Sequence, residues 1–175
     1  APFEVKVSAD SGLPVVLSVG AGKAGVNGNL VTLTGAGGVT LVATHGGDDN
    51  YEARVESRTF TVAKAAQTIT FPVIADRAFG PTPFSPGAVS SSQLPVAYEV
   101  LSGPAEVIPE GVRLTGVGSV LVRARQTGSD DYHPALPLDR TFNVSKGTQT
   151  ITFTAVSPRT FGDPPLTLSA SSSAD

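Results

Sequence analysis

The chain runs to 175 residues with 12 basic and 15 acidic side chains, a formal net charge of −3, and 40% hydrophobic against 15% charged residues. A chain this apolar folds, and its basic residues are too few and too scattered to track a phosphate backbone or an anionic lipid surface. Without Cys it has no disulfide framework, thiol nucleophile or Cys-ligated zinc, and no window approaches the roughly 18 uninterrupted apolar residues of a membrane helix.

The 19 Gly and 14 Pro exceed ordinary usage and point to frequent turns between short strands. Early in the chain, Gly35-Ala36-Gly37-Gly38 lies between two strand-like runs and opens no helix. It reads as a hairpin turn needing positive φ and not as a phosphate loop. Val39, Leu41 and Ala43 follow at every second position, the mark of a strand with one buried face. After the acidic turn Asp48-Asp49-Asn50-Tyr51 come Arg58-Thr59-Phe60-Thr61-Val62 and a short junction, Ala63-Lys64-Ala65-Ala66-Gln67.

Beyond that junction the apolar pieces are Thr68 to Phe71, Val96 to Leu101, Ala105 to Ile108, Val112 to Thr115, Val120 to Arg125 and Arg140 to Val144. Each is strand-sized, and none carries a helical period. Val120, Val122 and Ala124 alternate with Leu121, Arg123 and Arg125, in the phase already met at Val39, Leu41 and Ala43. Gly80-Pro81, Gly103-Pro104, Pro109-Glu110-Gly111 and Gly128-Ser129-Asp130-Asp131 punctuate the pieces as turns.

The chain repeats itself. Leu33-Thr34-Gly35-Ala36-Gly37 returns 81 positions on as Leu114-Thr115-Gly116-Val117-Gly118, and Arg58-Thr59-Phe60-Thr61-Val62 returns 82 positions on as Arg140-Thr141-Phe142-Asn143-Val144. Gln67-Thr68-Ile69-Thr70-Phe71 is echoed 82 positions on by Gln149-Thr150-Ile151-Thr152-Phe153. A fixed period is the sign of a tandem array. The expected organisation is a first repeat over 1–64 lacking its first strand, a complete repeat over 65–146, and the opening strands of a third over 147–175. Six or seven short strands per repeat with regular turn signals specify an all-β chain of tandem immunoglobulin-like antiparallel β-sandwiches, with a small barrel as the rival.

The motif series Gln67 to Phe71, Phe79-Gly80, Pro83-Phe84, Leu94-Pro95-Val96, Ser102-Gly103-Pro104-Ala105, Leu114 to Gly118 and Arg140 to Val144 resembles the MBG-type bacterial Ig-like repeats. The resemblance covers essentially the whole chain. It implies tandem modules of a large secreted or surface protein, and an extracellular stalk or adhesin role.

Candidate functional residues are few. His45 and His133 occupy different repeat positions, matching Gln126 and Glu52; they are read as surface-loop residues, since neither has the spacing of a catalytic triad or a metal cluster. Asp48, Asp49, Asp130 and Asp131 lie in an acidic turn that recurs. Hard oxygen ligands near a junction are candidates for Ca²⁺. The stronger reading has Asp and Asn capping the turn through backbone hydrogen bonds with Tyr as anchor, because two or three carboxylates fall short of six to eight ligands. Lys64 and Lys146 recur before the junctions, as in surface domains with Lys to Asn isopeptide links, but no recurring Asn faces them. Asn143-Val144-Ser145 is a formal glycosylation sequon inside an expected strand.

The ends are complementary. Ala1 aligns with Thr82, so the first repeat lacks a counterpart of Gln67 to Phe71, whereas Gln149, Thr150, Ile151, Thr152 and Phe153 supply that strand at the other end. Either the chain is a window on a longer covalent array, the favoured reading, or the segment adds to another molecule and builds an open filament. The expected function is therefore non-catalytic: a stalk, adhesin or filament component at a bacterial cell surface or outside the cell. Its partners would be neighbouring repeats, copies of itself, or a surface glycan or protein. No enzyme activity, cofactor, nucleic acid or membrane insertion within the segment is expected. The alternatives are a glycan- or protein-binding module, against which only three Tyr and no Trp weigh, and an accessory domain of a large secreted hydrolase.

Overall fold

Alternating apolar positions between Gly- and Pro-rich turns leave the backbone one economical way to satisfy its polar groups, which is to pair short strands edge to edge. The computed structural model describes residues 1–173, and among them there is no helix. None is therefore long and apolar enough to cross a membrane. The strands are β1 (Phe3–Glu4), β2 (Val16–Ala21), β3 (Ala24–Asn27), β4 (Leu30–Leu33), β5 (Gly37–His45), β6 (Arg54–Val62), β7 (Ile69–Thr70) and β8 (Arg77–Ala78). They continue as β9 (Val89–Ser90), β10 (Ala97–Ser102), β11 (Ala105–Ile108), β12 (Gly111–Leu114), β13 (Gly118–Arg125), β14 (Leu138–Ser145), β15 (Ile151–Phe153) and β16 (Ala170–Ser172).

The repeat seen in the sequence is a repeat of strands. Strands β2, β3, β4 and β5 begin at 16, 24, 30 and 37, and β10, β11, β12 and β13 begin 81 positions later at 97, 105, 111 and 118. The fold class is the expected one, all-β and built of immunoglobulin-like antiparallel sandwiches.

The chain divides into two compact units. One comprises Ala1–Pro72, Gly87–Tyr98 and Arg123–Asp139; the other comprises Val73–Pro86, Glu99–Val122 and the chain from Arg140 on. In the first unit, a sheet of order β1-β4-β3 faces a sheet of order β2-β5-β6. Leu17, Val31, Val39 and Leu41 are buried between them, with Val5, Val7, Val26 and Phe60 packed against that cluster. The long β5–β6 ladder runs without a slip from Gly37↔Val62 to His45↔Arg54. A one-residue slip would turn Val39 and Leu41 to solvent, so the buried face itself specifies this register. Gly37, which opens β5, has φ 121°, and its repeat counterpart Gly118, which opens β13, has φ 138°, the positive φ expected of both glycine clusters. The turns are crossovers between sheets and not the hairpins expected, because β4 and β5, and likewise β12 and β13, belong to different sheets. Also in this unit, β7 pairs antiparallel with β9 through Ile69↔Ser90 and Thr70↔Val89.

In the second unit β11 and β12 form a hairpin from Ala105↔Leu114 to Ile108↔Gly111. Val112, Val120, Val122, Phe142 and Val144 are buried there. Phe84 meets Phe142 edge to face with centroids 5.7 Å apart, the geometry that aligns a ring's positive edge with its neighbour's negative face. The short β8 adds in parallel to β14, and β15 pairs antiparallel with β16 from Ile151↔Ser172 to Phe153↔Ala170. The sequon Asn143 lies inside β14, its N–H donating to Asp76 Oδ1 at 2.7 Å.

Candidate functional site

The acidic turn does two different jobs. At 48–51 the Asp48 carboxylate accepts the N–H groups of Asn50 and Tyr51 at 2.9 and 2.8 Å, while Asp48 N–H donates to Tyr51 O at 2.9 Å. Ser129 takes the same role 81 positions on, its Oγ accepting from Asp131 N and Tyr132 N at 3.1 and 3.2 Å. Both turns are closed by a short polar side chain folding back onto its own backbone, as the capping reading of the sequence expects; Tyr51, expected to anchor its turn on the core, is instead 52% exposed.

The turn at 129–132 has a second role that leaves Asp131 pointing away from it. One oxygen, Oδ1, accepts from Lys23 Nζ and from the backbone N–H of Ala36, both at 2.7 Å. Lys23 lies in the turn between β2 and β3, and Ala36 in the turn between β4 and β5. A carboxylate from the 129–132 turn thus grips two turns near the start of the chain, all within the first compact unit. Close by, Lys64 Nζ donates to Ser129 O at 2.6 Å. Ala65 N–H donates to Asp131 O at 2.8 Å, and Ala65 O accepts from His133 N–H at 2.9 Å, so the junction residue and Tyr132 form a parallel bridge. Gly35 makes room for the grip: a Cβ there would stand 2.5 Å from Asp131 Oδ1 and would also meet the Lys23 side chain.

The electrostatics follow from the geometry. The Lys23 hydrogen bond, helped by the Ala36 N–H, holds the Asp131 carboxyl below its ordinary value of 3.8. The same hydrogen bond, reinforced by the charge of Asp131, holds Lys23 above its ordinary 10.5. Both side chains are more than a third exposed, so the pair acts more to fix an angle than as a store of stability. Arg123 and Asp139, one residue on each of two other strands, form a two-point fork at 2.8 and 2.9 Å, which likewise holds Asp139 below its ordinary value.

Behind the turn lies a buried amide clamp. Gln67 Nε2 donates to Gln126 Oε1 at 2.6 Å and to His133 O at 2.7 Å, and Gln67 Oε1 accepts from Ser92 Oγ at 2.5 Å. Gln126 Oε1 also accepts from Gly128 N–H at 2.5 Å. Gln67, the first residue of the Gln-Thr-Ile-Thr-Phe motif, therefore ties that strand to the loop carrying the acidic turn.

His45 is placed differently from its surface-loop expectation. It is the last residue of β5 and half-buried, because Gly47 N–H donates to its Nδ1 at 2.8 Å while its Nε2 lies 3.1 Å from Ser11 Oγ. It stands where Gln126 stands in the second repeat. His133 is exposed, with its backbone used by the clamp. Asp49 and Asp130 are exposed. Among the described residues, no group of three or more His, Cys, Asp or Glu side chains is placed to hold a metal ion. The candidate strand Gln149 to Phe153 lies against β16, with Gln149 Oε1 accepting from Ser172 Oγ at 3.1 Å.

Sequence reasoning picked out the acidic turn but not what Asp131 grips. Lys23 aligns with Pro104, and Asp131 with Asn50, so neither member of the pair recurs. The usable signal was the reverse of repetition: two positions where the copies differ and where the first junction carries opposite charges.

No protein-family model matches the chain, and no curated protein matches it. Among solved structures it is similar to the crystal structure of Drosophila N-cadherin EC1-4, at 14% identity over 82% of this chain and 44% of that one, with a TM-score of 0.37. The chain thus spans less than half the length of that structure.

Proposed function

We propose that the chain is a segment of a tandem array of MBG-type bacterial Ig-like repeats, a non-catalytic stalk or adhesive spacer of an extracellular or cell-surface protein. The observation that carries the reading is the grip of Asp131 on Lys23 and Ala36, with Lys64 and Ala65 held by the same turn. A joint restrained at several points transmits force and direction along an array, which is what a spacer does and what a flexible linker of the same length does not. The recurrence of the strand set at a spacing of 81 supports the array.

Antibodies raised against this chain test the location. They are expected to label intact producing cells or the culture medium. Signal confined to the lysate of washed, protected cells would contradict the proposal.

A further inference from the structure

Strand β6 is the outer strand of its sheet, and Arg54 to Thr59 are exposed along it. In an antiparallel ladder every second residue of an outer strand turns its N–H and C=O away from its neighbour. The carbonyl of Ser57 is one of these, since it accepts from Arg58 Nη1 at 3.0 Å. Val55 and Thr59, two residues to either side, share its orientation.

The matching edge of the second repeat is protected. There β8 pairs with Val144 and Ser145 of β14, and Asp76 Oδ1 accepts the N–H of Asn143. Pro137, which has no N–H to donate, stands immediately before β14. The residues 82 positions earlier are Val62, Ala63, Thr61 and Val55. A covering strand like β8 would therefore reach only the last residues of β6 and leave Arg54 to Phe60 open. Val55 in place of Pro137 lets β6 run on to Arg54.

Long open edges are ordinarily blunted by charge or by Pro. The charges of β6 instead complement themselves. Arg54, Glu56 and Arg58 share one face and alternate in sign, Glu56 lying 3.3 Å from Arg54 and 3.5 Å from Arg58. Set antiparallel to a second copy about a two-fold axis at Ser57, Glu56 stands opposite the partner's Arg58 and Arg58 opposite the partner's Glu56. An axis at Glu56 would oppose Glu56 to itself and Arg54 to Arg58, and an axis at Arg58 would oppose Arg58 to itself. An axis at Val55 leaves only Arg54 to Glu56 of β6 in the ladder.

We propose that β6 pairs antiparallel with β6 of a second copy of this chain, centred on Ser57, and joins two arrays side by side. Main-chain hydrogen bonds at Val55, Ser57 and Thr59 supply the affinity, and the crossed Glu56 and Arg58 pairs fix the register. The contact is isologous and closes at two molecules. It gives the adhesive part of the proposed function its surface, and because it is read in solution, its failure is separate from a failure of the extracellular location.

Sedimentation of the full chain from about 1 µM to about 1 mM tests this, with the average mass expected to rise to the dimer and stop. Glu56→Arg or Arg58→Glu sets like charges opposite each other on both sides of the axis and is expected to weaken dimerisation about ten-fold or more. An equimolar mixture of the two variants is expected to dimerise as the parent does, since each presents the charges the other lacks; this rescue also shows that both fold. In a chain without other cysteines, Ser57→Cys is expected to oxidise to a disulfide-linked dimer, because opposed Cα atoms about 5.5 Å apart lie within bridging range. Ser18→Cys, on β2 at the far edge of the sheet, is expected not to cross-link. A chain that stays monomeric at about 1 mM overturns the proposal. So does a dimer that neither charge reversal weakens, or cross-linking through Cys at 18 as ready as through Cys at 57.

Discussion

Replacing Gln67 by Leu probes the amide clamp, and the chain carries its own control. Leu is similar in volume but removes both donors and the acceptor that bind Gln126 Oε1, His133 O and Ser92 Oγ. Gln126 Oε1 retains Gly128 N–H, which leaves the His133 carbonyl and, in part, the Ser92 hydroxyl without partners. At about 1–3 kcal/mol for each stranded buried group, the loss comes to about 2–4 kcal/mol. For a chain of this length that lowers the melting temperature by about 5–15 °C. The same substitution at Gln149 removes only an exposed contact to Ser172 Oγ and is expected to stay within about 0.5 kcal/mol. Urea and thermal unfolding followed by circular dichroism on the two variants side by side give the answer. Equal losses would refute the reasoning, because the motif would then act through its intrinsic strand preference and not through the clamp.

Gly128 sits at φ 84°, and a Cβ there would stand 2.5 Å from Tyr132 O and 2.9 Å from Pro134 N. Gly128→Ala is expected to cost more than the roughly 1 kcal/mol of the left-handed backbone alone, and calorimetry that finds it neutral counts against the described turn. The joint has a pH window with two edges. Asp131 is held below 3.8, so its contribution is complete above that value and is lost as pH falls through the lowered one. Lys23 is held above 10.5, so its contribution is complete below that value and is lost as pH rises through the raised one. Titration of the Ala36 amide proton shift should therefore move below 3.8 and stay flat through neutral pH; a midpoint near neutrality would contradict the pairing. Added salt should weaken the grip without abolishing it, because mobile ions screen a solvent-exposed ion pair such as Lys23–Asp131 while the Ala36 N–H bond stays in place.

Much of the fold was legible because its signals are local. Gly-Pro, Pro-Glu-Gly and Gly-Ser-Asp-Asp punctuation with period-2 apolar spacing located β10 to β14, and the Val120, Val122 and Ala124 face is buried as its alternation required. Strands β8 and β9 were not legible, since two residues cannot show a period. What creates them is pairing with distant strands: Arg77 opposite Val144, and Val89 opposite Thr70. The site was half legible. Asp131 was singled out as part of a recurring acidic turn, yet its partner Lys23 is 108 positions away and has Pro104 in the equivalent place. Looking for what repeats finds the scaffold and passes over the residues that set one particular joint. His45 was obscured in the same way: its counterpart is Gln126, and only the geometry shows that an imidazole nitrogen and an amide oxygen both accept the N–H of the glycine two residues on.

The central claim is that the Asp131 turn holds the turns carrying Lys23 and Ala36 in place. The chain has no cysteine, so two introduced at exposed Thr32 and Leu136 can carry spin labels whose separation is measured by pulsed dipolar spectroscopy. A single narrow distance distribution is expected in the parent, broadening in Asp131→Ala with the secondary structure unchanged. A distribution already broad in the parent, or one that Asp131→Ala leaves untouched, would contradict the account.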